Sequence, residues 1–200
     1  MINLHSVGKN RIADAGAKSL LRPAQKSDIA GILEIESACF DIDTFEDESV
    51  YRSRLDQFAD GCHLLIVDNR IIANFTAELW SIDSFTEDLL SDWPDHICCH
   101  HSNGRILYIS SVAVHPLYQG QGYAMLLLRE SISYLLKRYP QIDELALTVS
   151  VKWPNARQLY AALGFIERLT LPHFFQSSND MHCDGLLLTA KREQLIGVSF

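Results

Sequence analysis

The sequence lacks any apolar run of the about 20 residues that a membrane-spanning helix requires. The first residues, Met1 to Lys18, also lack the apolar core of a signal peptide. Internal repeats and low-complexity tracts are missing as well, which excludes a solenoid or a fibrous chain. These absences predict a globular, cytoplasmic protein that does not bind membranes.

Paired cysteine spacing and a basic charge excess are missing too. The five cysteines are an odd set without CxxC spacing, which indicates reduced thiols and no disulfides. Only 17 Lys and Arg stand against 25 Asp and Glu, for a net charge of −8. This charge opposes binding to nucleic acid and favours cationic partners.

What the sequence does contain fits a single domain. Its 200 residues are 48% hydrophobic and 21% charged, enough to bury one sizeable core. Residues 1–17 show no clear pattern, so we predict a tail or irregular lead-in there and one domain over residues 18–200.

Apolar periodicity predicts the order strand, two helices, three strands, helix, strand, helix, two strands. We expect strands over 19–22, 63–68, 70–80, 105–114, 144–151, 165–171 and 185–189, and helices over 29–40, 46–58, 123–138 and 155–163. Asp68-Asn69 is typical of a tight hairpin turn between the second and third strands. In the helix over 123–138, we expect a buried face made of Tyr123, Leu126, Leu127, Glu130, Ile132, Ser133 and Leu136.

One segment predicts a binding site from local chemistry. His115 to Ala124 joins a strand rich in β-branched residues directly to a helix, with glycines at 120 and 122. Glycine lets the backbone approach a ligand closely, and the free amides and dipole of the helix N-terminus attract an anion. A pyrophosphate fits such a site. The segment has neither the GxGxxG spacing of a dinucleotide site nor the Lys-Ser/Thr of a P-loop.

Gln119, Gly122 and Ala124 follow the strand in the register Q/R-x-x-G-x-G/A, which resembles the signature of the GNAT superfamily of acyl-CoA N-acyltransferases. A second segment, Trp153 to Phe165, resembles the family's helix beside the coenzyme arm and its closing Gly-Phe. The resemblance covers Arg105 to Phe165 well. With the element order, it implies an α/β (α+β) fold with a mixed, mostly antiparallel sheet of six or seven strands and about four flanking helices.

The resemblance implies direct acetyl transfer from the cosubstrate acetyl-CoA to a primary amine within a ternary complex. It assigns Tyr160 as the acid that protonates the leaving thiolate, and backbone amides of residues 112–114 as partners of the thioester oxygen. The expected coenzyme-binding residues are Val112, Ala113, Val114, Gln119, Gly120, Gln121, Gly122, Tyr123, Ala124, Asn155 and Tyr160.

The general base stays open in the sequence. The two histidines of the arylalkylamine N-acetyltransferase branch correspond to Tyr108 and Ser110, and the glutamate of the ribosomal-protein N-terminal acetyltransferase branch falls where only Thr148 and Ser150 occur. The remaining candidates are Glu78, His173, and Tyr108 or Ser110 acting through a water. Because these bases are missing, a non-catalytic acetyl-CoA sensor is the alternative function.

Asp95 to His101 contains histidines and cysteines, which are types that bind zinc. Its spacing matches no paired site, so we expect no metal and interpret it as a loop over the acceptor site, where His96 or His100 could touch the substrate. A Cys98 or Cys99 nucleophile is a further alternative. Acidic clusters over 41–48 and 83–95 are either solvated faces or an entrance that favours a cationic amine.

Overall fold

The computed structural model describes residues 19–40, 45–81, 100–175 and 182–198. Its elements are β1 (Ser19–Pro23), α1 (Ile29–Cys39), α2 (Glu48–Phe58), β2 (Cys62–Val67), β3 (Arg70–Trp80), β4 (Ile106–Val114), α3 (Tyr123–Arg138), β5 (Glu144–Ser150), α4 (Pro154–Ala162), β6 (Ile166–Phe175) and β7 (Cys183–Lys191). No helix in the described ranges is long and apolar enough to cross a membrane.

The strands form one seven-stranded sheet in the order β1-β2-β3-β4-β5-β7-β6. Only β4 and β5 run parallel, and every other neighbouring pair is antiparallel. The fold-class prediction is therefore confirmed. At the predicted β2–β3 hairpin, Asp68 and Asn69 both adopt positive φ (49° and 62°), as a tight turn between twisted strands requires.

Helices cover both faces of the sheet. Alternate residues of β3 point to opposite faces, so Asn74 and Glu78 contact polar groups of α1 and α2. Phe75, Ala77 and Leu79 point the other way, into the apolar core that contains α3 and Tyr160 of α4. The sheet therefore separates an α1–α2 layer, which includes buried polar groups, from an apolar α3–α4 layer.

Helix α3 has the predicted bounds but a slightly different buried face. The buried residues are Tyr123, Leu127, Leu128, Ser131, Ile132, Leu135 and Leu136. Glu130 and Ser133 line a cavity instead, so placing them on the buried face was wrong. At 100° per residue, the stripe through Leu128 and Leu135 is centred away from those two positions.

Candidate functional site

The two parallel strands separate halfway along their length. β4 and β5 pair only from Ile106 with Glu144 to Ile109 with Leu147. Beyond that point β4 stays beside β3, and β5 stays beside β7. In the described part of the chain no strand pairs with residues 110–114 on their β5 side. That edge of β4 therefore has backbone groups available to a ligand.

A cavity of about 1660 Å³ occupies this opening. It exceeds the roughly 300–1,000 Å³ of a pocket for one small molecule, so it has room for two substrates together. Its walls come from both layers: the end of α1, the second half of β4, the turn before α3, one side of α3, the end of β5, helix α4 and the end of β6.

The turn between β4 and α3 has the geometry of an anion site. Gly120 and Gly122 adopt left-handed φ values of 73° and 86°, and Gly122 is the N-cap of α3. Apart from the two neighbouring residues in the chain, a Cβ built on either glycine would meet no atom within 4 Å, so the space beside the helix N-terminus is open. Nε2 of Gln119 donates to the Val114 carbonyl at 2.8 Å and fixes the turn against β4. The free amides of the first turn thus face a space that an anion can enter.

All the residues predicted to bind the coenzyme line this one cavity. They are Val112, Ala113, Val114, Gln119, Gly120, Gln121, Gly122, Tyr123, Ala124, Asn155 and Tyr160. The first nine are near neighbours in sequence. Asn155 and Tyr160 join them from α4, which lines another side of the same cavity.

Tyr160 lines the cavity from the α3–α4 layer. Its ring packs edge-on against Phe165, with 5.9 Å between centroids, and 8% of the residue is exposed. Burial raises the pKa of its hydroxyl above the ordinary value of 10. Tyr160 is therefore a neutral phenol at physiological pH, able to donate a hydrogen bond or a proton.

A buried carboxylate, that of Glu36 on α1, lines the cavity from the opposite layer. Glu36 is 1% exposed and accepts hydrogen bonds from Asn74 Nδ2 at 3.3 Å and Ser111 Oγ at 3.2 Å. The Tyr51 hydroxyl is a further partner. Burial raises the pKa of Glu36 to about 6, against the opposing effect of these hydrogen bonds. A carboxylate with this pKa is mostly ionised at pH 7 and is a stronger proton acceptor than an ordinary glutamate.

Sequence reasoning did not select Glu36, although a signal was present. On α1 it lies with Ile29, Ile32 and Ile35 in the set of buried positions. A carboxylate on the buried stripe of a helix costs free energy unless polar groups surround it or a function requires it. That mismatch between residue type and position was the available clue.

Glu78, one of the base candidates, lies in an ion-pair cluster outside the cavity wall. Its Oε1 accepts from Arg54 Nε at 3.1 Å, and its Oε2 accepts from Trp80 Nε1 at 3.2 Å. Arg54 also donates to Glu46 at 2.6 Å, and Glu46 does line the cavity. Both oxygens of Glu78 are thus engaged, and Arg54 holds Glu46 at the wall. This arrangement favours a structural role for Glu78.

Tyr108 and Ser110 differ in their access to the cavity. Tyr108 is fully buried, its hydroxyl hydrogen-bonds Thr148 Oγ1 at 3.0 Å, and its ring stacks on Trp80 at 4.1 Å between centroids. Ser110 lines the cavity and hydrogen-bonds Thr76 at 3.0 Å. A register shift between Thr76 and Ala77 brings both Ser110 and its neighbour Ser111 to the α1–α2 side. Ser110 can therefore contact a substrate or a water there.

His173 lies on the outer strand β6, outside the cavity wall. The residue is exposed, its φ is 57°, and its backbone N–H donates to Asp184 Oδ1 at 3.0 Å. The pairing of β6 with β7 is irregular at this point, between Leu171 and Phe175. The structure thus does not bring His173 together with Glu36 and Tyr160.

His96, Cys98 and Cys99 lie outside the described residues, as do residues 41–44 and 83–95 of the acidic clusters. His100 is described: its Nδ1 accepts from the Leu79 amide at 3.3 Å, and its ring stacks on Phe58 at 4.6 Å. Desolvation lowers the pKa of His100. Among the residues that the structure describes, no group of three or more potential metal ligands occurs.

Solved structures with the same fold align with most of the chain. The loading GNATL domain of CurA from Lyngbya majuscula has a TM-score of 0.75 at 14% identity, covering 87% of this chain and 98% of that one. The ribosomal-protein-S18-alanine N-acetyltransferase from Escherichia coli has a TM-score of 0.66 at 17% identity, covering 87% and 94%. Arabidopsis thaliana Naa50, in complex with the bisubstrate analogue CoA-Ac-MVNAL, has a TM-score of 0.65 at 13% identity, covering 86% and 97%. Similarity at these identities establishes the fold.

A search of the curated proteins gives no match. A family model does match, described as the acetyltransferase (GNAT) family, over residues 29–165 and thus over more than half of the chain. The matched range runs from α1 to Phe165 and includes both Glu36 and Tyr160 as well as the glycine turn. The chain belongs to the GNAT family of acetyltransferases, as its Gln119 to Ala124 motif predicts.

Proposed function

We propose that the protein transfers an acetyl group from acetyl-CoA to a primary amine, by direct attack within a ternary complex. One observation carries the proposal: a single cavity passes through the opening between β4 and β5, with Tyr160 on one side of the sheet and Glu36 on the other. An acid and a base on opposite sides of one cavity suit a reaction in which one proton leaves the amine and another reaches the thiolate.

The donor half rests on the turn before α3. Its open helix N-terminus suits the pyrophosphate of a coenzyme A thioester, and the unpaired edge of β4 offers amides to the pantetheine arm and the thioester oxygen. Arg129 and Lys137 also line the cavity along α3 and add positive charge. Relatives of this fold have been solved with coenzyme A or an acyl-CoA, among them the GphF GNAT-like decarboxylase with isobutyryl-CoA.

The acceptor half rests on two carboxylates in the α1–α2 layer, those of Glu36 and Glu46. Arg54 lies between Glu46 and Glu78 and offsets part of their charge. A cationic ammonium complements the remaining negative charge, whereas a carboxylate acceptor would be repelled. The proposed acceptor is therefore a primary amine that arrives protonated.

The reaction then requires two proton transfers. Glu36 accepts one proton from the bound ammonium, and the free amine attacks the thioester carbonyl. As the carbon–sulfur bond breaks, Tyr160 protonates the leaving thiolate, and the resulting phenolate regains a proton from the nitrogen of the new amide. Glu36 releases its proton to solvent. The products are an N-acetyl amine, coenzyme A thiol and one proton, so the charges balance.

Two measurements test the proposal together. Calorimetry with acetyl-CoA is expected to show binding, and a thiol-release assay is expected to show turnover on at least one primary amine. Binding without turnover on any amine would favour the sensor alternative. If acetyl-CoA does not bind, both functions are wrong.

Replacing Tyr160 with phenylalanine is expected to lower kcat about thirtyfold, because an unassisted thiolate is a poorer leaving group. The Kd of acetyl-CoA, measured by calorimetry, should stay within about twofold because the ring keeps its packing. Tyr134→Phe is the matched control, since Tyr134 lies on α3 and outside the cavity wall. If Tyr160→Phe turns over as fast as Tyr134→Phe, the assignment of Tyr160 as the acid is wrong.

A further inference from the structure

Three aromatic side chains from distant parts of the chain meet at the cavity. Phe40 follows the end of α1, Trp153 precedes α4, and Phe175 ends β6. Trp153 lies between the other two, with ring centroids 6.0 Å from Phe40 and 5.2 Å from Phe175. All three line the cavity. We refer to Phe40, Trp153 and Phe175 as the aromatic wall.

The wall presents apolar surface that no described residue covers. Trp153 is 37% exposed, and Phe40 is partly exposed, whereas Phe175 behind them is 7% exposed. The rings are tilted by 49° and 53° relative to Trp153 rather than stacked flat against it. An exposed tryptophan backed by a second ring, at the edge of a cavity, is a typical surface for binding an apolar group.

The wall lies on the acceptor side of the cavity. Phe40 is one turn of α1 beyond Glu36, so the ring and the carboxylate are near neighbours at the same end of the helix. Sγ of Cys39 donates to the Val114 carbonyl at 3.2 Å and holds this end of α1 against the open edge of β4. An amine whose nitrogen reaches Glu36 has Phe40 and Trp153 in the same cavity wall to receive its remaining atoms.

We propose that the aromatic wall selects acceptor amines that carry an aromatic ring a short distance from the nitrogen. This inference rests on the proposed function and names the substrate class of the same site. Glu36 holds the ammonium end, and the rings bind the apolar end by burial and edge-to-face packing. Such an amine can be a free arylalkylamine or the N-terminus of a peptide that begins with phenylalanine, and the two share the chemistry that the wall recognises.

The test compares matched amines on the full-length protein. With saturating acetyl-CoA, kcat/KM is measured for 2-phenylethylamine, butylamine and 1,4-diaminobutane, and for two peptides that differ only in an N-terminal Phe or Ser. An aromatic substrate is expected to exceed its aliphatic or polar counterpart about tenfold, through KM. A larger aromatic preference among the small amines identifies a free arylalkylamine as the acceptor. A larger preference between the two peptides identifies a peptide N-terminus. Equal values within both sets would overturn the inference.

Trp153→Leu is the decisive variant, because leucine keeps an apolar side chain but removes the ring. It is expected to remove most of the preference for aromatic amines, so that kcat/KM for 2-phenylethylamine falls toward that of butylamine. Tyr134→Leu is the control, since Tyr134 is also 37% exposed and lies outside the cavity wall. If Trp153→Leu weakens acetyl-CoA binding instead, or alters the preference for longer acyl-CoA thioesters, the wall serves the donor and the inference is wrong.

Failure of this inference can be distinguished from failure of the proposed function. Saturation-transfer NMR detects binding of 2-phenylethylamine to the protein with coenzyme A, where no turnover occurs. A signal from the phenyl protons that Trp153→Leu abolishes supports the wall even if no amine is acetylated. If Trp153→Leu keeps both the phenyl signal and the preference for aromatic amines, the inference about the wall is wrong, although acetylation itself remains.

Discussion

Replacing Glu36 with glutamine is expected to lower kcat about a thousandfold, within the range for removal of a general base. Glutamine has the same shape and can still accept the hydrogen bonds from Asn74 and Ser111 through its own oxygen. It cannot take a proton from the ammonium, however. The Kd of acetyl-CoA should stay within about twofold, because Glu36 lies on the proposed acceptor side. Thiol release and calorimetry measure the two quantities.

The pH profile provides a second measurement on the same residue. In the proposed mechanism the carboxylate form of Glu36 is the active one, so kcat/KM of the wild type is expected to rise with pH and to level off above about 6, the pKa that burial gives Glu36. In Glu36→Gln the residual rate should lack this inflection. A variant that retains it would show that another group accepts the proton.

The free energy of unfolding shows whether Glu36→Gln has lost only its base or also its fold. Burial raises the pKa of Glu36 from 4.5 to about 6, so the folded protein holds this proton more tightly than the unfolded chain does. Between those pH values the contribution of Glu36 to the free energy of unfolding falls as pH rises, by about 2 kcal/mol in all. Glutamine does not titrate, so Glu36→Gln does not lose this stability as pH rises. The variant is expected to be as stable as wild type, or more stable, at pH 7.

The control for Glu36 is Glu34→Gln. Glu34 lies on the exposed side of the same helix, so this variant carries the same change in net charge. It is expected to retain wild-type turnover and the wild-type pH profile. Comparable losses in both variants, or a Glu36→Gln enzyme within about threefold of wild type, would rule out Glu36 as the base.

Replacing Gly122 with asparagine is expected to weaken acetyl-CoA binding about a hundredfold or more, which is about 2.7 kcal/mol. Gly122 has φ of 86° and open space where a side chain would begin. Asparagine tolerates left-handed φ better than other side chains, so backbone strain is small. Its side chain fills the space beside the amides of α3 that the pyrophosphate is proposed to occupy. Calorimetry measures the Kd.

Gly122→Ala separates occlusion from strain. Alanine adds only a methyl group but tolerates the left-handed backbone less well than asparagine. If occlusion dominates, Gly122→Asn weakens acetyl-CoA binding more than Gly122→Ala does. The melting temperature of Gly122→Asn is nevertheless expected to be the higher of the two. The reverse order, or a Gly122→Asn Kd within about threefold of wild type, would contradict the proposed pyrophosphate site.

The sequence predicted the elements well where local signals set their bounds. Helix α3 begins after Gly122 and ends before Tyr139-Pro140, as predicted. Helix α2 begins at Glu48, two residues later than expected, because the Asp47 side chain caps it by accepting from the amides of Ser49 and Val50. Strand β6 continues to Phe175, past the predicted end at Leu171, because pairing with β7 resumes after an irregular stretch. Periodicity cannot show such a resumption, since it depends on the partner strand.

In the candidate site, too, some features can be predicted from the sequence and others cannot. The turn from Gln119 to Ala124 lies in one short segment, so its glycines, its helix N-terminus and its resemblance to a family signature can all be read along the chain. The identity of the general base cannot be read along the chain. The strand positions that carry bases in two related branches hold Tyr108, Ser110, Thr148 and Ser150, and the carboxylate that lines the cavity comes from α1.

By itself, then, the sequence determined the fold class, the family and the proposed donor site, because periodicity, turn chemistry and the glycine motif are properties of neighbouring residues. The tertiary structure alone decided which distant side chains line the cavity. Glu36 and Ser111 are 75 positions apart, and the aromatic wall joins α1, α4 and β6. The raised pKa of Glu36 arises from burial, and burial depends on every element packed around a residue rather than on its neighbours in the chain.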